Sequence, residues 1–275
     1  MAGERFVENM TWPEVERALE SGVTAVLIPY GSTEQHGRHM PLNTDSFIAR
    51  GLCGRAAELA ESEHVKLLVA PTIGITLSWY HMQFPGTVSA SIDTVLQLFR
   101  EVCDSLWHHG FRNLVVVNGH GGNSAALTVA VNRYFETTGR RVFVVQWWDL
   151  ASDALTAIEG PMIHAEEAET SLAIALGQRV LMEEAARDAF DRGAAVKSAG
   201  MPWTSFGRYG LAHRGPGVLV PMDMLRDLTA SGVVGDATRA RRETGERILS
   251  TVLPRLVQIT REMAASSVEP VHGSL

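Results

Sequence analysis

Four short apolar runs separated by helical stretches constrain this chain more than any other feature. They are TAVLIPY from Thr24, VKLLVAP from Val65, NLVVVNG from Asn113 and RVFVVQWWDL from Arg141. None alternates apolar with polar residues, as a strand with one wet face would, so each reads as a strand buried on both faces. Pro29 marks the end of the first, because proline cannot donate to a ladder. Between the runs, DSFIARGLCGRAAELAES has apolar positions at helical spacing, with Asn43, Thr44 or Asp45 available as its cap. SIDTVLQLFREVCDSLWHHG places Ile92, Val95, Leu96, Phe99, Val102 and Leu106 on one helical face and stops at Gly110. Asn123 or Ser124 opens SAALTVAVNRYFETTG. Strands that alternate with helices of this length build βαβ units, so an α/β fold with a largely parallel sheet is expected.

The 275 residues, 45% hydrophobic and 20% charged, suffice for one domain spanning 1–275 with a sizeable core. The polar end, 266–275, reads as a loose tail. A formal charge of −7 with no long basic run argues against nucleic-acid and anionic-membrane partners, and leaves a small-molecule substrate or another protein as the better partner. No window approaches the roughly 18 apolar residues of a membrane span, and the first residues carry acids without a signal-type apolar core, so a cytoplasmic location is expected. Cys53 and Cys103 match neither a disulfide framework nor a metal pair, and read as buried small hydrophobes. The Gly- and Pro-rich stretch 193–224, which includes His213, resists assignment and reads as an excursion over the sheet or a contact between copies. ARRETGERILSTVLPRLVQITREMAAS reads as a closing amphipathic helix.

In parallel sheets, ligands bind beyond the carboxyl ends of the strands, where loops carry chemistry on a rigid frame. The polar residues fall there. GSTEQHGRHMPLNTDSF, residues 31–47, gathers Glu34, His36, His39 and Asp45 after the first strand. Ser78 and His81 follow the second, His120 follows the third, and Trp148 with Asp149 ends the fourth. HAEEAETSLAIALG adds His164, Glu166, Glu167 and Glu169 at a helix start. Glu34 and His36 leave an extended backbone on the same side, as two ligands of one metal do. Mixed carboxylate and imidazole ligands suit Zn²⁺ and Mn²⁺, and a carboxylate bridges two such ions. Asp45 taken alone would be a helix cap, and His39, His64, His108, His109 and His272 read as solvated loop, helix-surface or tail residues.

GSTEQHG, PLNTD, FPGT, NGHGGN and HAEEAETS stand in the order and at about the spacing of the creatininase family, which this chain therefore resembles over residues 10 to 180. The resemblance implies a three-layer α/β/α sandwich, a centre of two divalent ions per chain (Zn²⁺ and/or Mn²⁺), hydrolysis of often cyclic amide C–N bonds, and assembly as a homo-oligomer, a hexamer. Carried over by position, Glu34, His36, Asp45 and His120 are metal ligands with Asp45 bridging, and His164 is the catalytic proton shuttle. Gly121 and Gly122 depart from creatininase proper, where an aromatic and a glutamate follow the histidine; Glu169 is the expected replacement ligand. Gly160 to Ile163 replace a Trp-Asp pair, so the pocket differs, with Ser78, Gly121 and Trp148 expected to touch substrate. The mechanism implied is attack of an activated water on an amide carbonyl, with His164 passing a proton to the departing nitrogen. The same site would serve C–C bond, formamide or short-peptide hydrolysis, and a metal-free binding module is the reading from another class.

Overall fold

The computed structural model describes residues 4–159, 162–188 and 224–265. In chain order its main elements are α1 (Trp12–Glu20), β1 (Ala25–Tyr30), α2 (Thr44–Ser62), β2 (Leu67–Val69), α3 (Ile92–His108), β3 (Asn113–Asn118), α4 (Ser124–Thr138), β4 (Val142–Gln146), the short helices α5 (Trp147–Leu150) and α6 (Ser152–Leu155), α7 (Glu167–Leu176), β5 (Arg187–Asp188), α8 (Leu225–Leu228), β6 (Gly235–Asp236) and α9 (Arg242–Ala265). The four longer-range strands form one sheet, all parallel, in the order β2-β1-β3-β4. β5 and β6 make a separate antiparallel pair.

Successive strand residues point to opposite faces, and each face has its own core. Ala25, Leu27, Val115, Val117 and Val145 pack with Ile48, Leu52 and Cys53 of α2, Leu172 of α7, and Ile248, Val252 and Leu256 of α9. Val26, Ile28, Tyr30, Leu114 and Val116 pack on the other side with Val95, Phe99 and Cys103 of α3 and Leu127 and Tyr134 of α4. Helices therefore cover both faces of a parallel sheet, the three-layer α/β/α arrangement. Cys53 and Cys103 are both buried and free. Truncating a fully buried residue such as Leu52 to Ala would cost about 2–5 kcal/mol. Among the described residues no helix is long and apolar enough to cross a membrane.

Several local expectations give way to packing. β1 runs through Pro29, which pairs with Val117 in the sheet interior. The Pro29 carbonyl accepts from Ile73 N (2.9 Å), beyond the end of β2, so the missing N–H falls where that ladder has stopped. β4 is an edge strand, and Phe143 on it is 40% exposed. Trp147 to Leu150 turn into a helix instead of extending β4. In α3 the buried face is Val95, Phe99 and Cys103, while Ile92 at the first turn is 60% exposed. The expected tail at 266–275, His213, His272 and all but the last residue of the stretch 193–224 lie outside the described residues.

The ends of β1 and β3 receive the first turn of α2 at unusually close range. A Cβ built on Gly31 would lie 2.4 Å from Ser46 Cα, and one on Gly119 would lie 2.4 Å from the Asp45 carbonyl oxygen. Both distances are shorter than real Cβ contacts. Glycine at each strand end therefore lets α2 sit over the carboxyl edge of the sheet, and this seats Asp45 there.

Candidate metal centre

Five side chains from four segments meet above the carboxyl ends of β1 and β3. Glu34 and His36 come from the loop after β1, Asp45 from the first turn of α2, His120 from the loop after β3, and Glu169 from the first turn of α7. All five are buried, at 0%, 0%, 1%, 4% and 9% exposure. His120 Nδ1 lies 3.0 Å from Asp45 Oδ2 and 3.3 Å from Glu34 Oε1. His36 Nε2 lies 2.9 Å from Asp45 Oδ1 and 3.5 Å from Glu169 Oε1. Glu34, Asp45 and His120 thus form one group of donor atoms within ion-binding range, and His36, Asp45 and Glu169 form another. Asp45 belongs to both, one oxygen to each. A third grouping joins Glu34 and His36 to His164.

The surroundings hold these atoms for a cation. His36 Nδ1 donates to the Glu34 carbonyl (3.1 Å), and His120 Nε2 donates to the Leu77 carbonyl (2.7 Å). In each ring the opposite nitrogen is left facing the carboxylates, the arrangement in which an outer partner fixes the tautomer of a metal-binding histidine. Ser32 Oγ donates to Asp45 Oδ2 (2.6 Å), and Ala165 N donates to Glu169 Oε2 (2.6 Å). Both oxygens of Glu34 are buried without a hydrogen-bond partner among the described residues. A buried carboxylate in that state is costly unless a cation compensates it. The donor set therefore fits one or two divalent ions of the Zn²⁺ or Mn²⁺ kind.

The ionisation of the cluster agrees. Burial opposes charge on Glu34, yet His120 and His81 outweigh it and hold its carboxyl below the ordinary value. Burial likewise opposes charge on Asp45, and His36 and His120 overcome it, so Asp45 stays well below the usual carboxylate range. His36 and His120 are driven well above the ordinary histidine value: burial resists, but Asp45 and Glu169 act on the first ring, Glu34 and Asp45 on the second. These two rings hold protons that a divalent cation would replace. Burial raises Glu169, with His36 opposing.

Glu169 does not cap its helix. That role belongs to Glu166, whose carboxylate accepts from Ala168 N (2.8 Å) and Glu169 N (3.3 Å). Burial pushes the Glu166 carboxyl up to about 8. Glu167 faces Arg239 (3.4 Å). Nor is Asp45 a cap: Asn43 holds that position, and the Asp45 side chain turns inward. His164 approaches from the segment before α7, its ring 4.5 Å from that of His36, and burial together with the charge on His36 lowers its pKa to about 3. Its neighbour Ala165 adopts φ +53°, a left-handed conformation rare for a residue with a side chain.

The other expected contacts have differing surroundings. Ser78 is buried one residue beyond Leu77, its hydroxyl without a partner among the described residues. Gly121 is exposed, with open space where a side chain would begin. At Gly122 a Cβ would lie 2.4 Å from both His120 Nε2 and Tyr80 Oη, so a side chain there would have to displace those two rings. Trp148 is half-buried, its ring edge-on to Trp147 and packed on the core, while Asp149 is exposed. His39 is not solvated: it is 1% exposed, with Nε2 2.9 Å from Thr170 Oγ1. His64, His108 and His109 are exposed as expected. Residues given no role from sequence also reach the centre, namely Ser32, Gln35, Tyr80 and His81, the last 3.2 Å from Glu34 Oε1. The one available signal was the place of His81 beyond the second strand.

Residues 8–260 match the profile of the family described as "Creatininase: Creatinine amidohydrolase". The creatinine amidohydrolase of Pseudomonas putida is 28% identical over 95% of this chain and 98% of its own length. A mycofactocin precursor peptide peptidase of Mycobacterium ulcerans is 34% identical over 86% of this chain and 84% of its own. Two solved creatininases, one a manganese form and one a mutant of Zn-Zn type, superpose with TM-scores of 0.74 each at 26% and 25% identity; they cover 94% and 95% of this chain and 98% of each neighbour. A profile matched along nearly the whole chain, on a sheet whose loops gather this buried carboxylate and imidazole cluster, makes the protein a hydrolase of the creatininase family.

Proposed function

We propose that this chain hydrolyses an amide C–N bond in a small cyclic amide or a related small molecule, at a centre of two divalent ions, Zn²⁺ and/or Mn²⁺. What carries the reading is the pair of buried ligand triads that share Asp45. Glu34, Asp45 and His120 would hold one ion, and His36, Asp45 and Glu169 the other. When bound, the ions supply Lewis acidity, polarising a carbonyl oxygen and making water acidic enough to ionise near neutral pH. His164 moves the proton. Its Nε2 donates to the Gln35 carbonyl (2.7 Å), which leaves Nδ1 bare on the side of Glu34 Oε1, 3.8 Å away. That nitrogen accepts a proton from the attacking water and delivers it to the departing nitrogen, so the products are a carboxylate and an amine. Ser78, Gly121 and Trp148 line the approach of the substrate, and the chain works as a cytoplasmic hexamer.

Creatinine itself is a poor candidate, because Gly121 lacks an aromatic ring and Gly160 to Ile163 lack the Trp-Asp pair. A second reading, a short peptide as substrate, is favoured by the higher identity to the peptide peptidase, 34% against 28% for the creatinine amidohydrolase. Metal analysis of protein purified without chelator, beside a screen of cyclic amides, formamides and short peptides, tests both. Two ions per chain and turnover of a cyclic amide support the first reading; turnover confined to peptides selects the second. Less than one ion per chain and no hydrolysis after adding Zn²⁺ or Mn²⁺ would remove both.

A further inference from the structure

Gln35 stands between the proposed ligand Glu34 and the proposed ligand His36, and its side chain points away from both. It is 4% exposed. Its Oε1 accepts from Gly37 N (2.9 Å), which fixes the orientation of the amide and leaves Nε2 as the donor. Three atoms lie within reach of that nitrogen: the Gly232 carbonyl at 3.1 Å, His81 Nδ1 at 3.1 Å and His164 Nε2 at 2.9 Å. The amide has two hydrogens. A carbonyl only accepts, so Gly232 takes one. His164 Nε2 cannot take the other, because it lies 2.7 Å from the Gln35 carbonyl oxygen and must itself carry hydrogen there. The second hydrogen therefore goes to His81 Nδ1. A neutral His81 that accepts at Nδ1 has its own hydrogen on Nε2, the nitrogen 3.2 Å from Glu34 Oε1.

We propose that His81, oriented by Gln35, is a positioning residue whose Nε2 N–H stands beside the Glu34 carboxylate, 3.2 Å from Oε1 though without the alignment of a full hydrogen bond, and so favours the placement of that carboxylate toward the ion it shares with Asp45 and His120. The inference rests on the metal-centre reading above and adds a residue to it. The alternative, His81 as a ligand through Nε2, conflicts with the hydrogen that Gln35 places on that nitrogen. The packing leaves His81 little freedom to choose otherwise: it is 1% exposed, with its ring 4.5 Å from that of Tyr80 and 4.7 Å from that of His164.

The test measures Zn²⁺ dissociation constants by competition with a chromophoric chelator, on full-length protein in its native assembly, for the wild type, His81→Leu and His81→Gln. Leucine removes the donor, and glutamine keeps an N–H for Glu34. The expected result is a loss of about 10–100-fold in the affinity of one ion in His81→Leu, the usual effect of removing an outer partner, with the other ion retained and most of the loss recovered in His81→Gln. Unchanged affinity in His81→Leu would overturn the proposal, and so would a His81→Gln protein as weak as His81→Leu, which would make the imidazole itself a ligand or a packing group. Should His81→Leu fail to fold, Gln35→Met keeps the imidazole and removes the amide that orients it; weakening of one ion supports the proposal, and full affinity for both refutes it. A wild type that binds fewer than two ions per chain would instead refute the two-ion reading beneath it.

Discussion

Glu167 and Glu169 sit two residues apart in the first turn of α7 and meet different surroundings: Glu167 faces Arg239, whereas Glu169 faces His36. Glu169→Gln should therefore lose one of two ions and most of the activity, with partial recovery at high Mn²⁺ or Zn²⁺, while Glu167→Gln keeps both ions; metal analysis of the two proteins side by side decides. His164→Ala should retain its metal and its Tm yet lose about 10²–10⁴-fold in kcat, the usual loss for a positioned acid–base group; a variant that melts early with its rate intact would mark a packing role. His39 supplies a pH dependence. Burial, with the charge on His36 adding, lowers its pKa to about 4, below the ordinary value of 6.5. The unfolded chain therefore binds a proton that the folded chain refuses, so this stabilisation is present above about pH 6.5 and is lost as pH falls toward 4, amounting to roughly 3 kcal/mol at most. Denaturant titrations across that range should show a flatter profile for metal-free His39→Gln than for the metal-free wild type. The residues of the cluster were legible in sequence because Glu34, His36, Asp45 and His120 stand in compact motifs beyond strands. His39 was not, because what buries it includes Thr170, which lies 131 positions away.

At the scale of elements, the apolar runs located all four strands of the sheet and the periodic stretches located the helices that cover it. Their limits followed from neighbours that one segment cannot reveal. Pro29 continues β1 because β2 is only three residues long, and Trp147 begins a helix. The contact between α2 and the sheet carries its own prediction. Gly119→Ala would drive a methyl group into the Asp45 carbonyl, and since that atom is backbone, α2 itself must move. A loss of about 1–3 kcal/mol is expected from such overpacking. Both ions should weaken together, because Asp45 belongs to both triads. Gly121→Ala, which meets open space, should leave the Tm unchanged. Thermal melts and metal content of the two variants provide the check; a Gly119→Ala protein with normal stability and both ions would show that α2 is not held as closely as described.

For the molecule as a whole, the metal should act as part of the fold. An ion present at 100 times its Kd adds about 2.7 kcal/mol, and for a chain of this size 1 kcal/mol moves the Tm by roughly 2–4 °C, so stripping one such ion should lower the Tm by about 5–10 °C. Melting curves before and after chelation, with Zn²⁺ restored, measure this; an unchanged Tm at zero metal content would contradict it. In the stripped protein the raised pKa values of His36 and His120 stabilise the fold fully below about pH 6.5, and that contribution is lost as pH rises through the raised values, so the gap between loaded and stripped protein should widen toward alkaline pH. The layered architecture and the family were legible in sequence because five motifs stand in the expected order, whereas the crowding at Gly122 was not, because the Tyr80 hydroxyl that fills the space beside it comes from another loop. The centre is assembled from opposite parts of the chain, with the Gln35 carbonyl accepting from His164 across 129 positions. No fragment that ends before residue 164 contains either Glu169 or His164. Contacts so distant in sequence form late, after the entropy of closing long loops has been met. Competence to hold both ions should accordingly arise among the last events of refolding, and the absorption of Co²⁺ bound at the centre would lag behind the recovery of helical circular dichroism.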